Sequence, residues 1–440
     1  MRPIVSILAS SIALLVISPG CRTPEERAGL CERVETRTLE LKSGGQLFAS
    51  TFNGSVSVEG WDREEVSLVA KIRERREGDV RFTAESKDGR VEIIAEREKQ
   101  ENGHSFFTGF VKAFGGSDGV SYTLRIPRNT MATLISSNGR MEISQIDNEI
   151  SAATSNGSIT ADRIGAKAHL TTSNSAISAN SIKGGLIAST SNGRIDVRDI
   201  NGNADLKSSN ASIIANNIES DLIGRTSNGR FDVRDVRGYA DLRTSSGAIE
   251  IRNVKGKVDA VTSNSSIIAE NIGSDLAGST SNGRIDVRDV QGYANLRTSN
   301  GRIEVRNVKN KTDAITSHAS IIAENIDGDL TGRTSNGRID LQRVLGAIDL
   351  STSNASIKAH NLNGKERGIR LSTSNASIDV TLGQAQGILE ANANNNNNRF
   401  VNIENPNIQP TVNGSITRAK IGNGNQRIDL ITSNGRITVR

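Results

Sequence analysis

Two nested periods organise the apolar positions of this chain. Between Asn138 and Asn354 a Thr-Ser-Asn-type signal returns every 18 residues. Its third residue falls at Asn138, Asn156, Asn174, Asn192, Asn210, Asn228, Ser246, Asn264, Asn282, Asn300, His318, Asn336 and Asn354. Counting that residue as zero, position three is always apolar, from Met141 and Ile159 through Phe231 to Ile357, and position five is always Ala, Val, Ile or Leu. Alternation with period two is the signature of a strand with one buried face. Position eight is again Ile, Val or Leu, and a Gly often follows near position ten, as at Gly202, Gly238, Gly256 and Gly292. A turn is expected there. Positions twelve, fourteen and sixteen resume the alternation and predict a second short strand. A unit this small cannot enclose a core alone, so it must lean on the units before and after it. The pattern predicts an all-β fold: a single-stranded parallel β-helix, or β-solenoid, of 18-residue coils, about 13 of them regular, with degenerate coils at both ends.

The second strand indicates how so narrow an interior is filled. Where position twelve is Ala, position fourteen is Leu, as in Ala204/Leu206, Ala240/Leu242 and Ala294/Leu296. Leu222/Gly224, Leu276/Gly278 and Leu330/Gly332 reverse the order at intervals of 54 residues, which points to duplication of a three-coil block. Pairing large with small keeps the volume of each layer constant, as close packing requires. At the corner, Asn and Gly both tolerate positive φ, and Asn side chains stacked in register can hydrogen-bond along the axis. Asn138, Asn156, Asn174, Asn192, Asn210, Asn228, Asn264, Asn282, Asn300, Asn336 and Asn354 are therefore expected to form a structural ladder. A repeated Thr/Asn surface could alternatively bind ice or glycan hydroxyls. The Thr of position sixteen, however, has the parity of the inward residues, which makes it a corner residue.

Composition changes this picture mainly at the N-terminus. Seven of the nine Phe residues, and Trp61, precede residue 115, so the chain is two pieces by composition. The 54 basic and 49 acidic residues leave a net charge of +5 with no block of one sign, and nucleic acid is not implied. Residues 1–20, with Arg2 before the apolar run Ile4 to Ile17, read as a secretory signal too short to span a membrane. Cys21 follows at once, an arrangement that resembles a bacterial lipoprotein signal, in which the Cys carries the lipid. An intramolecular disulfide between Cys21 and Cys31 is the other reading. Phe106, Phe110 and Phe114 fall at helical spacing inside the insertion Gly103 to Gly119. That insertion reads as a plug for the open end of the solenoid, or else as a partner-touching or membrane-touching helix.

Residues 33–62 contain a degenerate coil, Asn53-Gly54-Ser55-Val56-Ser57-Val58, closed by Gly60-Trp61-Asp62. The segment Ser121-Tyr122-Thr123-Leu124-Arg125-Ile126-Pro127, followed by Asn138-Gly139-Arg140-Met141, resembles the entry into the bacterial putative-adhesin (toast-rack) domain family of unknown function. Asn53 to Trp61 resembles that family's upstream Gly-Trp-Asp element. The resemblance implies an envelope-associated β-helix. The expected organisation is a signal peptide at 1–20, a lipidated tether at 21–32, an N-terminal β region and cap at 33–130 and a regular β-helix at 131–380. An irregular Asn-rich region at 381–412 and C-terminal coils at 413–440 complete it. Between Pro127 and Pro406 there is no Pro, as uninterrupted ladders demand.

Candidate chemistry is sparse. His104, His169, His318 and His360 share no metal-ligand spacing, so no metal and no cofactor is expected, and no catalytic residue stands out. Contact is expected instead on the outward face of the first strand. Arg194, Arg230, Arg284, Arg302 and Arg338 recur there at position two, and Ile214, Ile268 and Ile322 stand exposed at position four of every third coil. The reading is a non-enzymatic envelope lipoprotein, secreted across the inner membrane and held to the outer membrane through Cys21, facing the periplasm or the surface. It would act as a structural or adhesin-like module for an envelope polysaccharide or another envelope protein. A β-helical polysaccharide-processing enzyme is the alternative, and it would need a local cluster of acids and bases that breaks the repeat.

Overall fold

The computed structural model describes residues 15–17, 31–75, 78–97, 118–363, 367–393, 400–406 and 408–440. The Phe-rich insertion, Cys21, most of the signal segment and residues 394–399 of the Asn-rich run lie outside them. The chain divides into two compact units, Met1–Leu206 and Lys207–Arg440. Each is a β-solenoid, with no α-helix among the described residues.

In the first unit every regular coil contributes two strands, such as Ile159–Ile164 and Ala168–Thr172. Each pairs in parallel with its counterpart 18 residues on, Ile159 opposite Ile177 and Ala168 opposite Leu186. Because side chains alternate across a strand, this register places like positions over one another. Ile159, Ala161, Ile164, Ala168 and Leu170 are the buried side chains of one coil, and Ile177, Ala179 and Ile182 are buried at the matching positions of the next. The N-terminal end does not follow chain order. Strands Gln46–Thr51 and Val56–Trp61 form the degenerate coil and pair in parallel with Met131–Ser136 and Met141–Ile146. On their other side they pair with Arg90–Arg97 and Gly119–Pro127. Beyond that layer pairing turns antiparallel: Val80–Lys87 lies on Arg90–Arg97, and Glu65–Glu74 joins Gly119–Pro127 to Cys31–Glu40. Lys71 to Glu74, a run that carries both signs of charge, close the Glu65–Glu74 strand. Antiparallel strands terminate the parallel stack and cover the edges that the first coil would otherwise expose. Leu15–Ile17 pairs antiparallel with Cys31–Glu40. Cys31 is disulfide-bonded. An acyl thioether and a disulfide each consume the one sulfur, so the two readings of Cys21 exclude each other.

The second unit repeats the same coil, with Ile249 opposite Ile267 and Val258 opposite Leu276. The alternation of large and small side chains is met at Gly224, where a Cβ would come within 2.5 Å of the Phe231 ring and 2.8 Å of Leu242 Cδ2. Phe231 stands where most coils have Ile, and the missing side chain at Gly224 makes room for it. At the far end the last coil is inserted out of order. Gln426–Thr432 lies between Ile369–Thr373 and Gly387–Ala393, and Ile437–Val439 lies between Ile378–Thr381 and Val401–Ile403. Asn413-Gly414, expected as a coil corner, is instead the turn of an antiparallel hairpin joining Thr411–Asn413 to Ile416–Ile421, with φ of +60° at Gly414.

The corner is built from three stacked columns. Asn amides form the expected ladder within each unit: Asn174 donates to Asn156 at 2.6 Å and Asn192 to Asn174 at 2.8 Å. In the second unit Asn300 donates to Asn282 at 2.8 Å, Asn354 to Asn336 at 2.7 Å, and Asn434 to Asn375 at 2.8 Å. Ser246 and His318 occupy ladder positions with other side chains. The Thr of position sixteen is buried, as its parity predicts, so it offers no exposed array to ice or glycan. Thr298 Oγ1 donates to Gly283 O at 3.1 Å and accepts from Gly301 N at 3.1 Å, tying one coil's corner to the next. The Gly after each Asn is explained by proximity rather than by φ. A Cβ on Gly301 would overlap the Gly283 carbonyl oxygen, and no Gly of this column has positive φ. Positive φ falls instead at position seven, on residues that are not Gly, including Arg163 at 54°, Asn253 at 57° and Asn307 at 57°.

Candidate functional site

Positions two, four and six of the first strand point outward because positions three and five are buried. Arg194, Arg230, Arg284, Arg302 and Arg338 are all exposed at position two. Arg194 pairs with Asp196 at 2.7 Å, Arg302 with Glu304 at 2.9 Å and Arg338 with Asp340 at 2.6 Å, each two residues along its own strand. Arg230 and Arg284 make no ion pair among the described residues, so these two guanidinium groups are free to meet a ligand.

Stacking in register sets like charges side by side. Asp232 lies opposite Glu250, and Arg234 opposite Arg252. The next coil relieves the crowding: Arg252 reaches Glu270 at 3.4 Å, and in the following block Arg306 reaches Glu324 at 3.2 Å. The hydrogen bond from Arg234 to Asp232 raises the arginine's pKa above its ordinary value. Burial works against the Arg306 charge, yet Glu304 and Glu324 raise its pKa overall. Exposed pairs of this kind are screened by solvent and add little stability, so the face is held mainly by the coils beneath it.

Ile214, Ile268 and Ile322, expected to be exposed, are half-buried. Each has a carboxylate residue opposite it on a neighbouring coil, Asp232 for Ile214, Glu250 and Asp286 for Ile268, and Glu304 and Asp340 for Ile322. Those side chains flank the Ile and leave it a shallow apolar spot between charged rows. Within the second unit the face thus brings together Arg230, Arg284, Arg302 and Arg338 with the Ile column, and Arg302 and Arg338 are already balanced by their own strands' carboxylates.

The turn at position seven forms a second concave feature that the motif reading did not single out. In the second unit the left-handed residues form their own ladder, with Asn253 donating to Asp235 at 2.8 Å and Asn271 to Asn253 at 2.9 Å. Asn307 likewise donates to Asp289 at 2.7 Å and Asn325 to Asn307 at 2.9 Å. The recurrence of Asn or Asp seven residues after the corner was the signal that could have revealed it. Among the described residues no group of three or more His, Cys, Asp or Glu is arranged to hold a metal ion. His318 sits in the Asn column, and His360 Nδ1 lies 3.1 Å from Thr381 Oγ1.

No family model and no curated protein matches the chain. Among solved structures, a putative cell adhesion protein from Clostridium sporogenes aligns over 93% of this chain and 99% of its own, at 8% identity and a TM-score of 0.18. That score is too low to carry an argument about fold or function.

Proposed function

We propose that this protein is a non-enzymatic structural or adhesin-like binding module of the bacterial cell envelope. It presents the outward face of its first strands to a repetitive partner, an envelope polysaccharide or another envelope protein. The observation that carries this reading is the recurrence of one outward pattern, coil upon coil, with Arg230 and Arg284 unpaired three coils apart. A repeating ligand lying along the axis meets the same groups again at multiples of about 4.8 Å. Many weak contacts then add without any deep pocket. The disulfide at Cys31 supports export, since such bonds persist in oxidising compartments. The likeness of Asn53 to Trp61 and Ser121 to Met141 to the toast-rack adhesin family supports the envelope setting.

Replacing Arg230, Arg284 and Arg302 with Ser is expected to weaken salt-sensitive co-sedimentation with isolated envelope fragments on the order of tenfold, a difference of about 1.4 kcal/mol. Thermal stability should change little. Unaltered binding, or release of soluble sugar from the fragments, would contradict the proposal.

A further inference from the structure

The position-seven groove of the first unit departs from the repeat that builds it. Its left-handed residues are Gln145 at φ 59°, Arg163 at 54°, Ser181 at 56° and Asp199 at 55°. Asn and Asp accept that conformation most readily, and other side chains are uncommon there. The second unit follows the preference from Asn217 to Asn325. In the first unit three of four residues, Gln145, Arg163 and Ser181, ignore it.

The groove at this turn is also the larger of the two. This open groove has a volume of about 610 Å³, against about 300 Å³ for the corresponding groove of the second unit. Its charged lining is Arg128, Arg163, Lys183, Asp147 and Asp199. Gly165 supplies a bare floor between Asp147 and Lys183, because a Cβ there would sit 2.7 Å from the Asp147 backbone. The volume falls within the usual range of small-ligand sites.

The surrounding chemistry narrows the ligand. Backbone donors along the rim are already used: Gly165 N donates to Ile146 O at 2.7 Å, Lys183 N to Ile164 O at 2.8 Å and Asn201 N to Ile182 O at 2.9 Å. An added peptide strand would find no ladder to join. Recognition must come from side chains, and these are amides, hydroxyls, carboxylates and cations. Arg128 is held by Asp62 at 2.7 Å and Gln145 at 3.1 Å, and Arg163 leans on its neighbour Asp162 at 3.2 Å. Lys183 is exposed and has no ion pair among the described residues.

We propose that this groove is a binding site for a short acidic oligosaccharide, separate from the Arg/Ile face of the first strands. Carboxylates of the sugar meet Arg163 and Lys183, and its hydroxyls meet Gln145, Ser181 and Asp199. Charge-assisted hydrogen bonds of this kind are among the stronger polar contacts and give the orientation.

Titration calorimetry with trigalacturonate and with neutral maltotriose tests it. The full chain is expected to bind the acidic sugar at least about tenfold more tightly than the neutral one, with affinity falling as salt rises. Lys183→Gln and Arg163→Asn should each weaken binding at least about fivefold. Arg163→Asn should at the same time melt no lower than the parent, because Asn suits the left-handed turn better than Arg. The Arg230→Ser, Arg284→Ser variant should bind trigalacturonate like the parent, which separates this site from the first-strand face. Equal affinity for both sugars, no binding of either, or parental binding by both groove variants would overturn the proposal.

Discussion

Replacing Thr298 with Val is expected to cost the protein about 2 to 4 kcal/mol, although the two side chains have nearly the same shape. Thr298 Oγ1 is the partner of two backbone groups in different coils, the Gly301 amide and the Gly283 carbonyl, each at 3.1 Å. Both glycines are buried, and the Val methyl can satisfy neither group. A buried donor or acceptor left without a partner loses about 1 to 3 kcal/mol, and here there are two. Thr298→Ser is the control. Ser136 already occupies the equivalent corner position, accepting from Gly139 N at 3.0 Å and donating to Gly54 O at 3.1 Å. Urea denaturation should therefore show a large loss for Val and a loss below about 1 kcal/mol for Ser. Equal losses would mean that the corner hydroxyl does not join the coils.

The second large effect is expected inside the core, from adding a single methyl group. Gly224→Ala should destabilise by about 1 to 3 kcal/mol, since the new Cβ meets the Phe231 ring and Leu242 in an interior with no slack. Gly278→Ala, at the same position 54 residues on, should be neutral or stabilise by up to about 1 kcal/mol. There the nearest atom to the new Cβ is Leu296 Cδ2 at an ordinary 3.4 Å, with Ile285 rather than Phe facing the gap. Phe231→Ile combined with Gly224→Ala should restore most of the loss. If both Ala variants behave alike, the pairing of large with small residues is not what sets this core.

How far the sequence revealed the fold follows from what periodicity can carry. The coil length, the inward positions and the Asn ladder were legible because each recurs in strict register and identical columns meet identical columns. The order of stacking at the two ends was not. Nothing in Asn413-Gly414-Ser415-Ile416 distinguishes a hairpin turn from a coil corner, and nothing near Asn434 marks that it docks on Asn375. Those arrangements depend on pairings between distant segments. The position-seven turn was hidden for a different reason. Gln145, Arg163, Ser181 and Arg343 interrupt its Asn and Asp column, so the conformation repeats more faithfully than the residues do. On the candidate face, spacing predicted which side chains point outward. It did not predict that Arg302 and Arg338 would be paired while Arg230 and Arg284 are not, because that depends on the rotamers of neighbouring charges.

The central claim is that stacked, interchangeable coils present one face to a repetitive partner. Removing residues 265–318, three whole coils, tests it most directly. The junction would place Ala319-Ser320-Ile321-Ile322-Ala323-Glu324 where Ser265-Ser266-Ile267-Ile268-Ala269-Glu270 stood, so the register survives. The shortened protein is predicted to keep its β-sheet circular dichroism and cooperative unfolding, while its salt-sensitive binding to envelope fragments weakens because Arg284 and Arg302 are gone. Unfolding of the shortened chain, or binding equal to that of the full chain, would contradict it.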